Sequence, residues 1–245
     1  RDLVRSRGLG DVYKRQVKML GERAGVALPQ TSMSEEDRKE RGIRDRLLEI
    51  NKIAATYYYR QLRSENGKAG LDYLKKRELS DSTINSFGLG YATQSTGNLY
   101  KLLKDKGYDD DILKESGLFT YERGIHEKFW NRVIFPIMDI NNKVIGFGGR
   151  VMGDAKPKYL NSPETRLFDK SRNLYGLNIA RTSRKPNMII CEGYMDVISM
   201  HQAGFNQAVA SLGTALTPGH ARLLKRYTDT VSYTHLRAHE TVLDL

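Results

Sequence analysis

Two carboxylates stand where an apolar run gives way to a polar turn. Residues 188–200 read MIICEGYMDVISM: the run Met188–Cys191 ends at Glu192, Gly193 follows, and Asp196 lies four residues after Glu192. Side chains one helical turn apart project to the same side of a helix. Such a pair suits Mg²⁺, a hard cation that takes carboxylate and phosphate oxygens. The same spacing also fits a helix cap at Glu192 with a surface ion pair at Asp196.

A basic segment precedes these carboxylates. The chain has a net charge of +11, and Lys143–Lys185 alone holds ten Lys/Arg against three Asp/Glu, a net +7. Positive charge concentrated on one segment favours a polyanionic partner such as nucleic acid, although solvated surface lysines would give the same count. Three glycines in this segment, Gly146, Gly148 and Gly149, indicate either close backbone approach to a ligand or a twisted, bulged strand.

The elements that must position these residues change in type along the chain. Helical spacing predicts a helix over Asp45–Ser64, whose TYYYR cluster is typical of a packed core or of a base-stacking platform. Four shorter helical segments lie between residues 68 and 117. The runs RVIFPIMD and KVIGFGGRV, joined through Ile140–Asn142, predict a β-hairpin. The strand–helix–strand–helix pattern after Asn187 predicts a parallel sheet, at whose strand ends ligands bind. The fold class is therefore mixed α/β.

Composition limits the class of protein further. No apolar run approaches the about 18 residues of a membrane span, and residues 1–16 contain no apolar stretch typical of a secretion signal. The single cysteine, Cys191, excludes an internal disulfide framework and a multi-cysteine zinc site. These features predict a soluble cytoplasmic protein.

Both ends of the chain differ in character from the rest. RDLVRSRGLGDVYKRQ (1–16) shows no hydrophobic period, and SYTHLRAHETVLDL (232–245) follows RYTDTV with no turn signal. Both resemble translated sequencing-adapter sequence, so we interpret them as non-native scars that should be unpacked. The remaining divisions are a linker or frayed helix over 17–44, a core subdomain over 45–186 and a partial parallel-sheet subdomain over 187–231.

Several blocks in a fixed order carry a family resemblance that covers about Asp45–Val231. EGYMDV (192–197) resembles the first motif of a TOPRIM domain, the metal-binding module of bacterial primases, topoisomerases and some nucleases. RVIFPI, VIGFGGRV, PKYLNSPET, LYGL and AVASLGTALT resemble the bacterial replicative DNA primase of the DnaG type. A TOPRIM nuclease or topoisomerase would not explain PKYLNSPET and FGGRV.

The resemblance implies roles for particular residues. Glu192 matches the catalytic TOPRIM glutamate, a metal ligand or general acid/base, and Asp196 the supporting motif aspartate. The matches to the family's basic ridge, which meets template and nucleotide phosphates, are Arg150, Lys158, Tyr159 and Lys170. The implied cofactor is Mg²⁺ or Mn²⁺. The implied partners are single-stranded DNA template, ribonucleoside triphosphates, the RNA primer and a replicative helicase at the replication fork.

The sequence departs from the family in three places. In the given sequence we find no counterpart of the family's amino-terminal zinc ribbon or of its helicase-docking part. We also find no second TOPRIM motif, an Asp-x-Asp pair on the next strand. Asp244 is a lone carboxylate in the tail and carries no weight. We therefore predict a primase core that is incomplete and inactive alone, and the alternative is a fragment that binds single-stranded nucleic acid without catalysis.

Overall fold

The structure is a computed structural model that describes residues 34–122, 124–213 and 215–234. The chain divides into two units, residues 1–41 and 42–245. The described helices of at least four residues are α1 (Glu35–Leu62), α2 (Lys68–Lys76), α3 (Asp81–Ser86), α4 (Asn98–Asp105), α5 (Asp110–Glu115), α6 (Leu177–Ala180), α7 (Tyr194–Gln202) and α8 (Pro218–Leu224). The four short helices predicted between residues 68 and 117 correspond to α2–α5.

The first helix is longer than the sequence pattern predicted. We placed a linker or frayed helix over 17–44 and the helix start at Asp45, but α1 begins at Glu35. Ser34 caps it, because its hydroxyl oxygen accepts a hydrogen bond from the Asp37 backbone N–H at 3.0 Å. Three acidic residues in the first turn also favour a helix N-terminus. Of the two interpretations of this segment, a linker or a frayed helix, the helix is the one that residues 35–44 meet, and residues 17–33 lie outside the described part.

An antiparallel sheet follows these helices. Its strands are β1 (Gly90–Ala92), β4 (Arg132–Met138), β5 (Val144–Val151) and β6 (Tyr159–Asn161), in the order β1-β4-β5-β6. Between β1 and β4 in sequence, β2 (Phe119–Thr120) and β3 (His126–Glu127) form a separate two-stranded sheet. The predicted β4–β5 hairpin is confirmed, with a bulge between Ile137 and Met138. In its turn, the Asp139 carboxylate accepts from the backbone N–H of Asn141 at 2.7 Å.

The predicted parallel sheet is also confirmed. It contains β7 (Asn187–Cys191) in the centre, β8 (Ala208–Ala210) on one side and β9 (Thr230–Tyr233) on the other, all parallel. β7 is buried over Met188–Cys191, as expected for a central strand between helices. Together the two sheets and the leading helices make the mixed α/β fold that the sequence predicted.

One predicted scar begins inside this sheet. Ser232 and Tyr233 were expected to be unpacked, but they pair in register with Ile189 and Ile190 as the second half of β9. All four side chains of β9 are exposed, so the strand is held mainly through its backbone. The prediction was wrong for these two residues. Residues 1–16 and 235–245 lie outside the described part of the chain, and the interpretation of the two segments as scars stays a prediction.

The tyrosine cluster of α1 belongs to the core. Tyr58 is buried and makes edge-on contacts with Phe129 and Phe147, whereas Tyr59 carries the Arg63 guanidinium 3.3 Å from its ring centroid. Two interpretations were left open for TYYYR, a packed core and a base-stacking platform. The burial of Tyr58 agrees with the packed core. No helix within residues 34–122, 124–213 and 215–234 is long and apolar enough to cross a membrane.

Candidate nucleic-acid interface and carboxylate edge

Glu192 and Asp196 meet at the carboxyl end of β7. Glu192 is the first residue after that strand and is exposed, and Gly193 is the N-cap of α7. Burial raises the pKa of the Asp196 carboxyl; a hydrogen bond from the Gly193 backbone opposes this, and the negative charge of Glu192 raises the pKa further. The structure therefore brings the two predicted carboxylates close enough to repel each other. This is an arrangement that a bound cation would relieve.

The carboxylate edge does not by itself make a complete metal site. Among the residues that the structure describes, no group of three or more His, Cys, Asp or Glu side chains could hold a metal ion. Mg²⁺ demands six oxygen ligands and dehydrates reluctantly, so one or two carboxylates bind it chiefly with help from substrate phosphates. Glu192 and Asp196 thus fit as part of a donor set and not as the whole of one.

Arg150 is a half-buried residue of β5. Its guanidinium lies 4.3 Å from the ring centroid of Tyr73, a residue of α2. Its Nε is buried and has no hydrogen-bond partner among the described residues. Tyr159 is directly opposite Arg150 in the β5–β6 register. Burial raises the pKa of the Tyr159 hydroxyl, and the charge of Arg150 and a hydrogen bond to it act in the opposite direction.

Lys158 and Lys170 occupy different settings. Lys158 is exposed, while its carbonyl accepts the backbone N–H of Val151 at 3.0 Å, so an ordered backbone carries the lysine. The Lys170 carbonyl accepts from Nε2 of the fully buried His220 at 2.8 Å. Burial lowers the pKa of the Lys128 ammonium and the charge of Lys170 lowers it further, which places these two lysines near each other.

The glycines of the basic strand make room for side chains of the protein itself. A Cβ on Gly148 would lie 2.4 Å from Cζ of Tyr194, and one on Gly149 would lie 2.7 Å from Cδ1 of Phe129. At Gly146 the nearest atoms belong to Phe168, at 3.3 Å. Neither open interpretation, close approach to a ligand or a bulged strand, describes Gly148 and Gly149. At Gly146 the bulged strand fits, because Ile137 pairs with Gly146 and Met138 with Val144, which leaves Ile145 of β5 unpaired beside this glycine.

Tyr194 joins the basic strands to the carboxylate edge. It opens α7 two residues after Glu192, and its ring stacks on Phe135 of β4 at 4.9 Å with an interplanar angle of 14°. Its hydroxyl donates to Oδ1 of Asn161 in β6 at 2.7 Å. Tyr159 lies against the same ring, 6.2 Å away between centroids. Through the buried Tyr194 ring, β4, β6 and the start of α7 therefore pack against one another.

Sequence reasoning missed several members of this region. Tyr73, Lys128 and Tyr194 are separated from their partners by tens of residues, and no periodicity links them. Only the residue types gave a signal: Gly148 as a strand glycine and Tyr194 as an aromatic inside the carboxylate motif.

The fold and site define a class first: a TOPRIM domain preceded by an α/β subdomain with a four-stranded antiparallel sheet. The Toprim domain family model matches residues 187–243. The family model described as DNA primase catalytic core, N-terminal domain, matches residues 57–181, which is just over half of the chain. The chain belongs to this DNA primase catalytic core family.

Known relatives agree with this assignment. The DNA primase of Clostridium acetobutylicum is 51% identical over 189 residues, covering 76% of this chain and 31% of the relative. The DNA primase of Deinococcus radiodurans is 47% identical over 217 residues, covering 86% of this chain and 36% of the relative. A solved structure of the DnaG primase catalytic domain bound to ssDNA has a TM-score of 0.74 at 39% identity, covering 78% of this chain and 61% of that one. The chain thus spans about a third of the length of these curated relatives.

Proposed function

We propose that this chain is part of the RNA polymerase core of a DNA primase, which synthesises short RNA primers on single-stranded DNA. The observation that carries the proposal is the junction at Tyr194, where the antiparallel sheet that contains Arg150 packs against the start of α7, the helix that holds Asp196. Template, ribonucleoside triphosphates and the primer are all polyanions, so a basic face beside a carboxylate edge suits their chemistry. A replicative helicase is the expected partner of the whole protein.

Each site residue has a distinct proposed role. Arg150 offers a planar fork to phosphate oxygens, and Lys158 acts as a mobile point charge. Tyr159 and Lys170 extend the same face. Glu192 contributes negative charge at the reacting end as a metal ligand or general acid/base, and Asp196 supports it.

Catalytic incompleteness is part of the proposal. A divalent cation neutralises charge on the transferring phosphate when it is bound. The described residues supply two carboxylates at this edge, and these do not complete a cation site. We propose that the chain needs further carboxylates from a complete TOPRIM domain before it supports nucleotide addition.

Removing one basic side chain should weaken nucleic-acid binding and its salt dependence together. Lys158→Ala should lower affinity for all single-stranded sequences alike and reduce the slope of log affinity against log salt by about 0.7, the value for one phosphate contact on a single strand. Arg150→Ala should have at least the same effect. The measurement is anisotropy of a labelled oligonucleotide across a salt series.

The matched control is Lys101→Ala. Lys101 is an exposed lysine of α4 outside the basic segment, and its loss removes the same unit charge. Affinity and slope should both stay near those of the unmodified chain. If Lys158→Ala and Arg150→Ala leave both quantities unchanged, the basic segment is not the binding face.

A further inference from the structure

Trp130 is an exposed aromatic side chain with a fixed orientation. It is the only tryptophan in the 245 residues, and 44% of its surface is exposed. Its indole N–H, the only polar group of the side chain, donates to the Gln94 carbonyl at 2.8 Å. The ring therefore has its hydrogen-bonding need met inside the protein and presents apolar π surface to solvent.

The two residues after Trp130 are hydrogen-bonded to the loop Met152–Lys158, which joins β5 to β6. Asn131 binds Met152 in both directions, through its Nδ2 to the Met152 carbonyl at 3.1 Å and through its carbonyl to the Met152 N–H at 2.9 Å. The buried Arg132 guanidinium donates to the carbonyls of Pro157 at 3.0 Å and Lys158 at 3.4 Å. Both ends of the Met152–Lys158 loop are thereby bonded to the two residues that follow Trp130.

Lysines lie in the chain just before Trp130 and in the loop that is bonded to Asn131 and Arg132. The loop carries Lys156 and Lys158, both exposed. In the chain before Trp130, Lys128 is near enough to Lys170 for the two charges to repel. An exposed aromatic whose N–H is bonded within the protein, in a chain segment attached to a lysine-bearing loop, matches the way proteins hold single strands: the cations follow the backbone and the aromatic ring stacks on a base.

We propose that Trp130 is a base-stacking residue for single-stranded nucleic acid held by the basic segment. The inference rests on the proposed function for the class of ligand and adds a contact to the bases, whereas Arg150, Lys158 and Lys170 meet phosphates. Because every base has a π face, the contact favours single strands without selecting a sequence. It gives the surface a preference for unpaired bases over a bare phosphate chain.

The first test uses the unmodified chain. Since Trp130 is the only tryptophan, its fluorescence reports on this position alone. Oligothymidylate should change the emission on binding, and an abasic oligonucleotide of the same length should bind by charge with little change. Equal changes with both ligands, or no change while oligothymidylate binds, would overturn the proposal.

The second test separates stacking from charge. Trp130→Leu should weaken oligothymidylate binding about tenfold, within the range measured for single base–aromatic stacks, leave abasic binding unchanged and leave the salt slope unchanged. Trp130→Phe should retain most of the affinity because it keeps a ring. Phe205→Leu is the control, since Phe205 is 47% exposed but lies after α7, far in sequence from Trp130 and from the Met152–Lys158 loop.

The outcomes distinguish this inference from the proposed function. Full oligothymidylate affinity in Trp130→Leu would overturn the stacking role and leave the primase proposal standing. Failure of the unmodified chain to bind any single-stranded oligonucleotide at low salt would overturn both. A reduced salt slope in Trp130→Leu would also overturn stacking, because it would mean that phosphate contacts had been lost.

Discussion

Glu192→Gln is expected to abolish primer synthesis in a chain that carries a complete TOPRIM domain. A suitable protein is a chimera in which the residues from Ser232 onward are replaced by the remaining catalytic core of the Clostridium acetobutylicum DNA primase, which is 51% identical over the shared region. Glutamine keeps the shape of the side chain and removes its charge at the end of β7. If Glu192 acts as general acid/base, the rate should fall by about 10²–10⁴-fold.

Two further variants of the chimera serve as a comparison and a control for Glu192→Gln. Asp196→Asn should reduce the rate less, because the proposed role of the partly buried Asp196 is only to support Glu192. Glu65→Gln removes an exposed carboxylate in a short 3₁₀ turn of the N-terminal part and should leave the rate unchanged. Single-stranded DNA binding by the Glu192→Gln chimera should remain, which shows that the protein is folded. Full activity in that variant would mean that Glu192 is structural only.

Gly148→Ala should destabilise the protein by about 1–3 kcal/mol or more. The added Cβ would lie 2.4 Å from Cζ and 2.5 Å from the hydroxyl of Tyr194. Real Cβ atoms do not approach other heavy atoms so closely, so the buried ring must move. It would then lose its stack on Phe135 and its hydrogen bond to Asn161. The measurement is the free energy of unfolding from urea denaturation.

Gly42→Ala is the matched control for this change. Gly42 lies inside α1, and a Cβ there meets nothing within 4 Å. Alanine is favoured over glycine in a helix interior by about 1 kcal/mol, so this variant should be as stable as the original chain or more so. Equal stability of the Gly148→Ala and Gly42→Ala variants would show that the Tyr194 junction is loosely packed.

Elements whose signal is local could be predicted from the sequence. The β4–β5 hairpin followed from two β-rich runs and an Asn-Asn turn, and the strand before Glu192 followed from the apolar run Met188–Cys191, because a buried central strand is continuously apolar. The start of α1 was missed although its signal is also local. Ser34 before three acidic residues is a helix N-terminus pattern, and the high charge of the segment drew the interpretation towards a linker.

Contacts between distant parts of the chain were not predictable in the same way. Glu192 and Asp196 were found together because they are four residues apart. The stacking of Tyr73 on Arg150 and the fit of Tyr194 against Gly148 join residues 77 and 46 positions apart, respectively. One sequence gives no signal for such pairs. β9 was missed for another reason: its exposed side chains lack an apolar pattern, and the backbone pairing that holds it is independent of side-chain type.

Template-directed incorporation of labelled ribonucleotides tests the central claim most directly. The assay compares the 245-residue chain with the chimera on a single-stranded template in Mg²⁺ or Mn²⁺. We expect primer synthesis by the chimera and none by the chain as it stands, which should still bind the template. Robust synthesis by the 245-residue chain would contradict the account, because it would show that the carboxylates needed for catalysis are already within it.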